Sequence, residues 1–260
     1  MARPPRRTDL DRDVDRPGPR WNLLDPLVGF VVAQLLSALV AAIVVQTQAA
    51  PGAGVGIGLA ETFDGDARSL AAGLSLFALA LVQIPLWATE IGTVLFAGEV
   101  RGNGVRRDFG LVVRPVDIPL GLLAGVAGQA VVSGGYALLD RLAGGLDTDQ
   151  TARAISAKGT GAGVLAVLLF FAVVGPFVEE LFFRGLLLRA MERVTKRPVA
   201  LVVTSFIFAG IHFELLLLPG LFVAGLLFGY LAQRSGRLGP AIFAHVGFNA
   251  ATIVALAWSR

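Results

Sequence analysis

The chain contains no cysteine. That excludes disulfides, thiolate metal sites and a cysteine nucleophile, and leaves the redox compartment open. Charge is also scarce: 16% of the residues are Asp, Glu, Lys or Arg, where a soluble domain carries about 25%. Histidine occurs twice, tyrosine twice and methionine twice in 260 residues. What fills the sequence instead is apolar. Hydrophobic residues make up 55% and the mean hydropathy is +0.72, which places the chain in the membrane class before any motif is read. The net charge of +3 is small. The pI near 9.9 reflects arginines at the ends of apolar runs. With no basic patch interleaved with exposed aromatics, nucleic acid is set aside as a partner.

Residues 1–25 hold six arginines and five aspartates among several prolines and read as a disordered, solvated tail. Uncharged runs follow at 26–60, 69–89, 118–139, 159–178, 198–211, 215–233 and 238–259. A spanning helix needs roughly 20 apolar residues, so the expected fold is an all-α, polytopic transmembrane bundle of about seven spans. The break at Pro219-Gly220 leaves six or eight as alternatives, with 198–218 as a full span and 220–233 as a short one. The apolar core of the first run is too long for a cleavable signal, and Pro51 follows the small residues Ala49-Ala50, so this run is expected to remain as an anchor. Lys and Arg alternate between rich and poor loops. The pattern puts the N-terminus in the cytoplasm and the C-terminus outside. Trp21, Trp87 and Trp258 fall near span ends, where an aromatic belt accounts for them. Gln83 and Gln129 are expected to make interhelical hydrogen bonds.

Against this background one stretch stands out: GPFVEELFFRG, residues 175–185. It places Glu179, Glu180 and Arg184 directly after 20 uncharged residues, Gly159–Val178. Each charge costs several kcal/mol in hydrocarbon, and intramembrane ionisable groups are functional by default. Glu180 and Arg184 are four apart and can pair on one helix face. Glu179 is five from Arg184 and has no local partner, which suits a general base or acid. Gly175-Pro176 just upstream can loosen the helix where water must enter.

Both histidines fall in apolar segments. His212 follows Phe208 by four residues and Asn249 follows His245 by four, so each pair is expected to share a helix face, with Phe208 as a pocket wall. At 1.5 Å per residue, Glu179 lies about 15 Å and His245 about 12 Å from the nearest arginine at the cytoplasmic edge. His212 comes out deeper, at about 22 Å. The helix near Pro198 is therefore expected to begin outside the bilayer, which brings the four polar residues to one level. A carboxylate and an imidazole could then deprotonate water, while an imidazole and an amide donate to a developing oxyanion. Alternatively, Glu179, His212 and His245 supply the ligand types of a catalytic zinc with water in the fourth position. The H-E-x-x-H helix is absent. Glu90, near the end of the second run, is expected at an interface or facing the bundle. Glu214 is expected to mark an outer loop, or else to line the site.

These segments resemble the CPBP family (Abi), which comprises type II CAAX prenyl endopeptidase-like and bacteriocin-processing membrane proteins. E-E-x-x-x-R matches Glu179 to Arg184, F-x-x-x-H matches Phe208 to His212, and H-x-x-x-N matches His245 to Asn249. The three occur in order at spacings of about 30 residues and cover about 160–257, so 159–260 is expected to be the protease core and 26–158 a set of helices without recognised motif. The resemblance implies an intramembrane protease in which Glu179 and His212 activate water and His245 and Asn249 form the oxyanion site. Glu180, Arg184 and Phe208 would support them. The family is described both as metalloproteases and as metal-independent glutamate proteases, so zinc or no cofactor at all is implied. The asparagine four residues after a histidine favours the second. The implied substrate is a membrane-associated peptide or protein, including a prenylated or otherwise lipid-anchored one, in the plasma membrane of a bacterium. A non-catalytic scaffold or bacteriocin self-immunity protein is the rival reading, with a proton-coupled transporter behind it.

Overall fold

The computed structural model describes residues 18–48, 76–145 and 162–258, and these residues form helices and turns without a strand. In chain order the helices are α1 Leu24–Gln48, α2 Leu76–Leu95, α3 Val105–Asp108, α4 Asp117–Ala143, α5 Ala162–Glu179, α6 Leu188–Glu192, α7 Arg197–Gly210, α8 Leu218–Ser235 and α9 Gly239–Trp258. Two stretches widen to π-helix, Phe96–Val100 after α2 and Glu180–Leu187 between α5 and α6. Each of the seven apolar runs thus yields a helix. Three helices among the described residues are long and apolar enough to cross a membrane: Leu24–Val44, Leu81–Val100 and Asp117–Leu142. Their outward faces carry bare apolar side chains such as Leu35, Leu39, Leu120 and Leu123, the surface a bilayer rather than water solvates.

The full span expected over 198–218 is not formed. α7 stops at Gly210, and residues 211–217 turn before α8 starts. Phe213 takes a positive φ of 52° there, an uncommon conformation for a bulky side chain. The chain reverses one residue after His212, so α7 and α8 lie against each other as two short helices.

The motif-bearing helices are held by the ones without motifs. The most extensive helix contact is α4 against α9, and glycines allow it. A Cβ at Gly125 would collide with the carbonyl oxygen of Ala244, and one at Gly247 with the backbone of Leu122. Close backbone approach through small residues is how helices associate where no water drives them together. At the start of α4, Asp117 accepts from Arg237 at 2.6 and 3.0 Å, tying α4 to the α8–α9 turn.

Residues 18–25 belong to this fabric rather than to a solvated tail; residues 1–17 lie outside the described residues. Trp21 is buried against Phe109, with the Arg193 guanidinium 4.5 Å above its ring and its Nε1–H donating to Asp108 at 2.9 Å. Arg101 pairs with Asp25. Trp21 and Trp87 are therefore packed core residues, not members of a lipid-facing belt. Gln129 donates to Ser133 one turn along its own helix at 3.2 Å, and this bond does not cross to another helix.

Candidate active site

The carboxylate motif sits where the helix changes pitch. α5 contains Pro176, whose ring removes a backbone donor and crowds the preceding turn. The chain then runs as π-helix from Glu180 to Leu187, closing with Leu188 N–H on the carbonyl of Phe183, five residues back. Such segments occur mostly as local bulges, frequently at functional sites. Every residue of this one is buried.

Glu180 is the hub. Its Oε1 accepts from Arg184 Nη1 at 2.8 Å and from His245 Nδ1 at 2.9 Å. The Arg184–Glu180 pairing expected from their spacing is present, and both side chains are buried. Arg184 also donates through Nη2 to the Gly225 carbonyl at 3.2 Å. Its guanidinium lies 4.2 Å from the centre of the Phe208 ring and 5.4 Å from that of Phe228. The charge is thus held by one carboxylate, one carbonyl and two aromatic faces. The spacing reading tied Glu180 only to Arg184. The bond to His245 crosses 65 positions and leaves no trace in local sequence.

Glu179, one residue earlier, is in the opposite situation. It is 22% exposed, its Oε2 has no hydrogen-bond partner, and this oxygen faces His245 Nε2 at 3.9 Å. That gap is too long for a direct bond. Since His245 Nδ1 donates to a carboxylate, Nε2 is the nitrogen turned to Glu179. The imidazole is clamped between Phe228, stacked at 4.6 Å and 20°, and the edge of Phe208 at 5.7 Å. Phe228 lies inside an apolar run, where an aromatic gives no signal of its role.

His212 differs from its expected place on a helix face. It stands just past the end of α7, with Nδ1 2.8 Å from the Phe208 carbonyl. A carbonyl can only accept, so Nδ1 carries the proton and caps a carbonyl that the ending helix leaves free. Nε2 takes no part in that bond. The two imidazoles flank one ring: His212 is 5.0 Å and His245 5.7 Å from Phe208, both edge-on. Asn249 lies one turn beyond His245 on α9, half-buried. Glu214 is buried in the turn after His212.

Among the described residues no group of three His, Asp or Glu side chains is arranged to hold a metal ion. His245 engages Nδ1 with Glu180 and His212 engages Nδ1 with a main-chain carbonyl, which leaves Nε2 of each ring as the nitrogen available to a water or a ligand.

Comparison with known proteins reaches the same segment. Residues 161–251 match the model of the Rce1-like type II CAAX prenyl endopeptidases. Over 88 residues the chain is 30% identical to the protein named "Putative membrane peptidase YdiL" of Bacillus subtilis (strain 168). That alignment takes in 34% of this chain and 36% of the relative, so about a third of the relative's length is represented. No solved structure matches. All three motifs fall inside the matched stretch, Arg184, His212 and His245 pack around the Phe208 ring, and over residues 161–251 the chain is similar to the Rce1-like type II CAAX prenyl endopeptidases.

Proposed function

We propose that the chain is an intramembrane endopeptidase that hydrolyses a peptide bond in a membrane-associated peptide or protein, including lipid-anchored ones, with water activated by Glu179 and no metal. The observation that carries this is the split between adjacent carboxylates. Glu180, fully buried, is held through Oε1 by Arg184 and His245, while Glu179, 22% exposed, pairs with neither and keeps a bare oxygen 3.9 Å from His245 Nε2. A water about 2.8 Å from both atoms would subtend about 90° between them, a geometry water accepts readily.

In this reading Glu179 takes a proton from that water as its oxygen bonds to the scissile carbonyl carbon. His212 Nε2, the free acceptor, holds the second water hydrogen. The oxyanion that forms accepts from the Asn249 amide, which has N–H donors in every protonation state. It also accepts from His245 Nε2 in the imidazolium form of that ring, which enters and leaves the cycle unchanged with Glu180 as its counter-charge. Glu179 then returns the proton to the amine nitrogen as the C–N bond breaks, so the enzyme ends as it began. Each positioned acid or base contributes about 10²–10⁴-fold, and each oxyanion donor a similar order.

The test is cleavage of lipidated and unlipidated membrane peptides by the purified full chain in detergent, with E179Q, H212A, H245A and N249A beside it. Cleavage by the wild type that E179Q loses, unchanged by chelator, is the expected result. Cleavage that persists in E179Q and H245A would remove the mechanism, and loss on chelation restored by zinc would replace it with metal chemistry.

A further inference from the structure

The turn that follows His212 interrupts the helix at a depth where water gives little help. α7 is 14 residues long, so at 1.5 Å per residue the turn lies about 21 Å from Arg197. Backbone groups left open at such a depth need partners from the protein. α8 starts there without a side-chain cap, because its N-cap residue is Leu217, and Pro219 in its first turn has no N–H to offer. Tyr136 of α4, outside the matched residues 161–251, supplies the partner. Its hydroxyl donates to the Leu216 carbonyl at 2.8 Å and accepts from the Gly220 N–H at 3.1 Å. The ring is pressed against the same place: a Cβ at Gly220 would stand 2.8 Å from Tyr136 Cε2. One side chain thus ties the end of the turn and the start of α8 to α4.

The turn bears on His212 through the Phe208 carbonyl. In a helix that continued, the His212 N–H would bond to this carbonyl, four residues back. Instead the His212 N–H goes to the Ala209 carbonyl at 3.4 Å, and the Phe208 carbonyl accepts from His212 Nδ1 at 2.8 Å. The imidazole occupies a place that a longer α7 would fill with its own backbone. What ends α7 is the reversal at Phe213, where φ is 52°. A bulky residue keeps such a conformation only when its surroundings compel it. The Phe213 ring is 66% exposed, so burial of the ring does not offset the strain. Three residues on, at the far end of the turn, Tyr136 holds Leu216.

From this we infer that Tyr136 is a positioning residue for His212, supplied by the motif-free half of the chain. Its hydroxyl holds the reversal, the reversal ends α7, and the ended helix leaves the Phe208 carbonyl to fix the imidazole through Nδ1. Without the hydroxyl, Phe213 relaxes toward helix, the His212 N–H competes for the Phe208 carbonyl, and the ring is released. The consequence for catalysis rests on the proposed role of His212 Nε2 in holding the attacking water; the placement of the ring does not.

The experiment uses the purified full chain in detergent with Y136F, F213G and the double variant. Y136F keeps the ring and loses only the hydroxyl, while F213G makes a positive φ easy. The first readout is independent of proteolysis. The chain has two histidines, so nitrogen NMR of histidine-labelled protein, assigned with H212A, follows each ring. Wild type should show His212 as the Nδ1–H tautomer. Y136F should shift it toward Nε2–H with His245 unmoved, and adding F213G should restore it. The second readout is steady-state cleavage. Y136F should lower kcat about tenfold or more with KM within about a factor of two, since a small misplacement of a reacting group costs that much, and the double variant should recover severalfold of the loss. A His212 tautomer that Y136F leaves unchanged overturns the proposal, whether or not any peptide is cleaved. So does a double variant as impaired as Y136F, because the hydroxyl would then act by a route other than the turn. A shifted tautomer with kcat unchanged supports the tie and removes His212 from the reaction instead. Should Y136F not fold, F213G alone still decides: it should raise Tm, and a fall would show that the reversal stores no strain for Tyr136 to hold.

Discussion

Two neighbouring glutamates of one motif should behave as opposites when each is made glutamine. In E180Q the charge that Arg184 and His245 share is gone. The guanidinium, 3% exposed, cannot turn to water. Breaking a buried pair by removing one partner costs about 3–5 kcal/mol, because a charge is left uncompensated. Two contributions soften this: the faces of Phe208 and Phe228, at about 0.5–2 kcal/mol for a desolvated cation–π contact, and the surviving bond to Gly225. The expected loss is therefore near the lower figure, about 3 kcal/mol, or a fall in Tm on the order of 10 °C at about 2–4 °C per kcal/mol. E179Q removes no hydrogen bond from its bare Oε2, so its stability should stay within about 0.5 kcal/mol of wild type. Its activity should fall at least about 10²-fold. Thermal unfolding in one detergent, read by tryptophan fluorescence, separates the two. The double variant E180Q/R184M should recover most of the stability, since an apolar replacement removes the stranded charge. An E180Q protein as stable as wild type, or a double variant worse than E180Q, would refute the hub reading of Glu180.

Other expectations follow from the same contacts. G125A should loosen α4 from α9, since its methyl would strike the Ala244 carbonyl; overpacking of this kind costs about 1–3 kcal/mol, and because Ala244 adjoins His245, kcat should fall more than KM rises. Asp117 and Arg237 should couple by about 1–3 kcal/mol in a double-mutant cycle of D117N and R237Q, measured as Tm, because both guanidinium bonds end on one buried carboxylate. W21A should lose about 3–5 kcal/mol, since the ring fills a space bounded by Phe109 and Arg193. An aromatic lying in a lipid-facing belt would lose far less. Chelation followed by dialysis should leave cleavage at the wild-type rate, which an activity assay with and without added zinc would check.

The helices were legible because apolar runs separated by arginines are a one-dimensional signal, and all seven runs fold as helices. The pairing of Glu180 with Arg184 was legible because it is a four-residue spacing. What the sequence hid are contacts between segments and departures from regular pitch. Nothing in "ELFFRGLL" announces a π-helix, and that pitch change is part of what separates the roles of Glu179 and Glu180. Nothing in "AGIHFEL" says that α7 ends before His212, since an apolar run continues beyond it. The reversal depends on one strained residue, Phe213. The buried tryptophans were misread for a related reason. Position at a span end fits both a lipid-facing belt and a packed core, and what decides between them is the contact with distant residues, Asp108 and Arg193 for Trp21 and Phe170 and Gly175 for Trp87.

The motif-free half of the chain does more than anchor. α4 sets the position of α9 through glycine contacts on both sides of His245, and Asp117 ties α4 to the turn from which α9 starts. α2 lays the Trp87 ring against Gly175, one turn before Glu179. In the proposed reaction a water on Glu179 must be kept apart from lipid, and α2 packs against the helix that carries this residue. In the proposed mechanism residues 161–251 hold the reacting groups, while helices packed against them come from outside the matched stretch. Grafting only the matched segment should give helices without activity. Restoring α2, whose Trp87 packs on α5, should matter more than restoring α1, whose outer face carries side chains suited only to lipid.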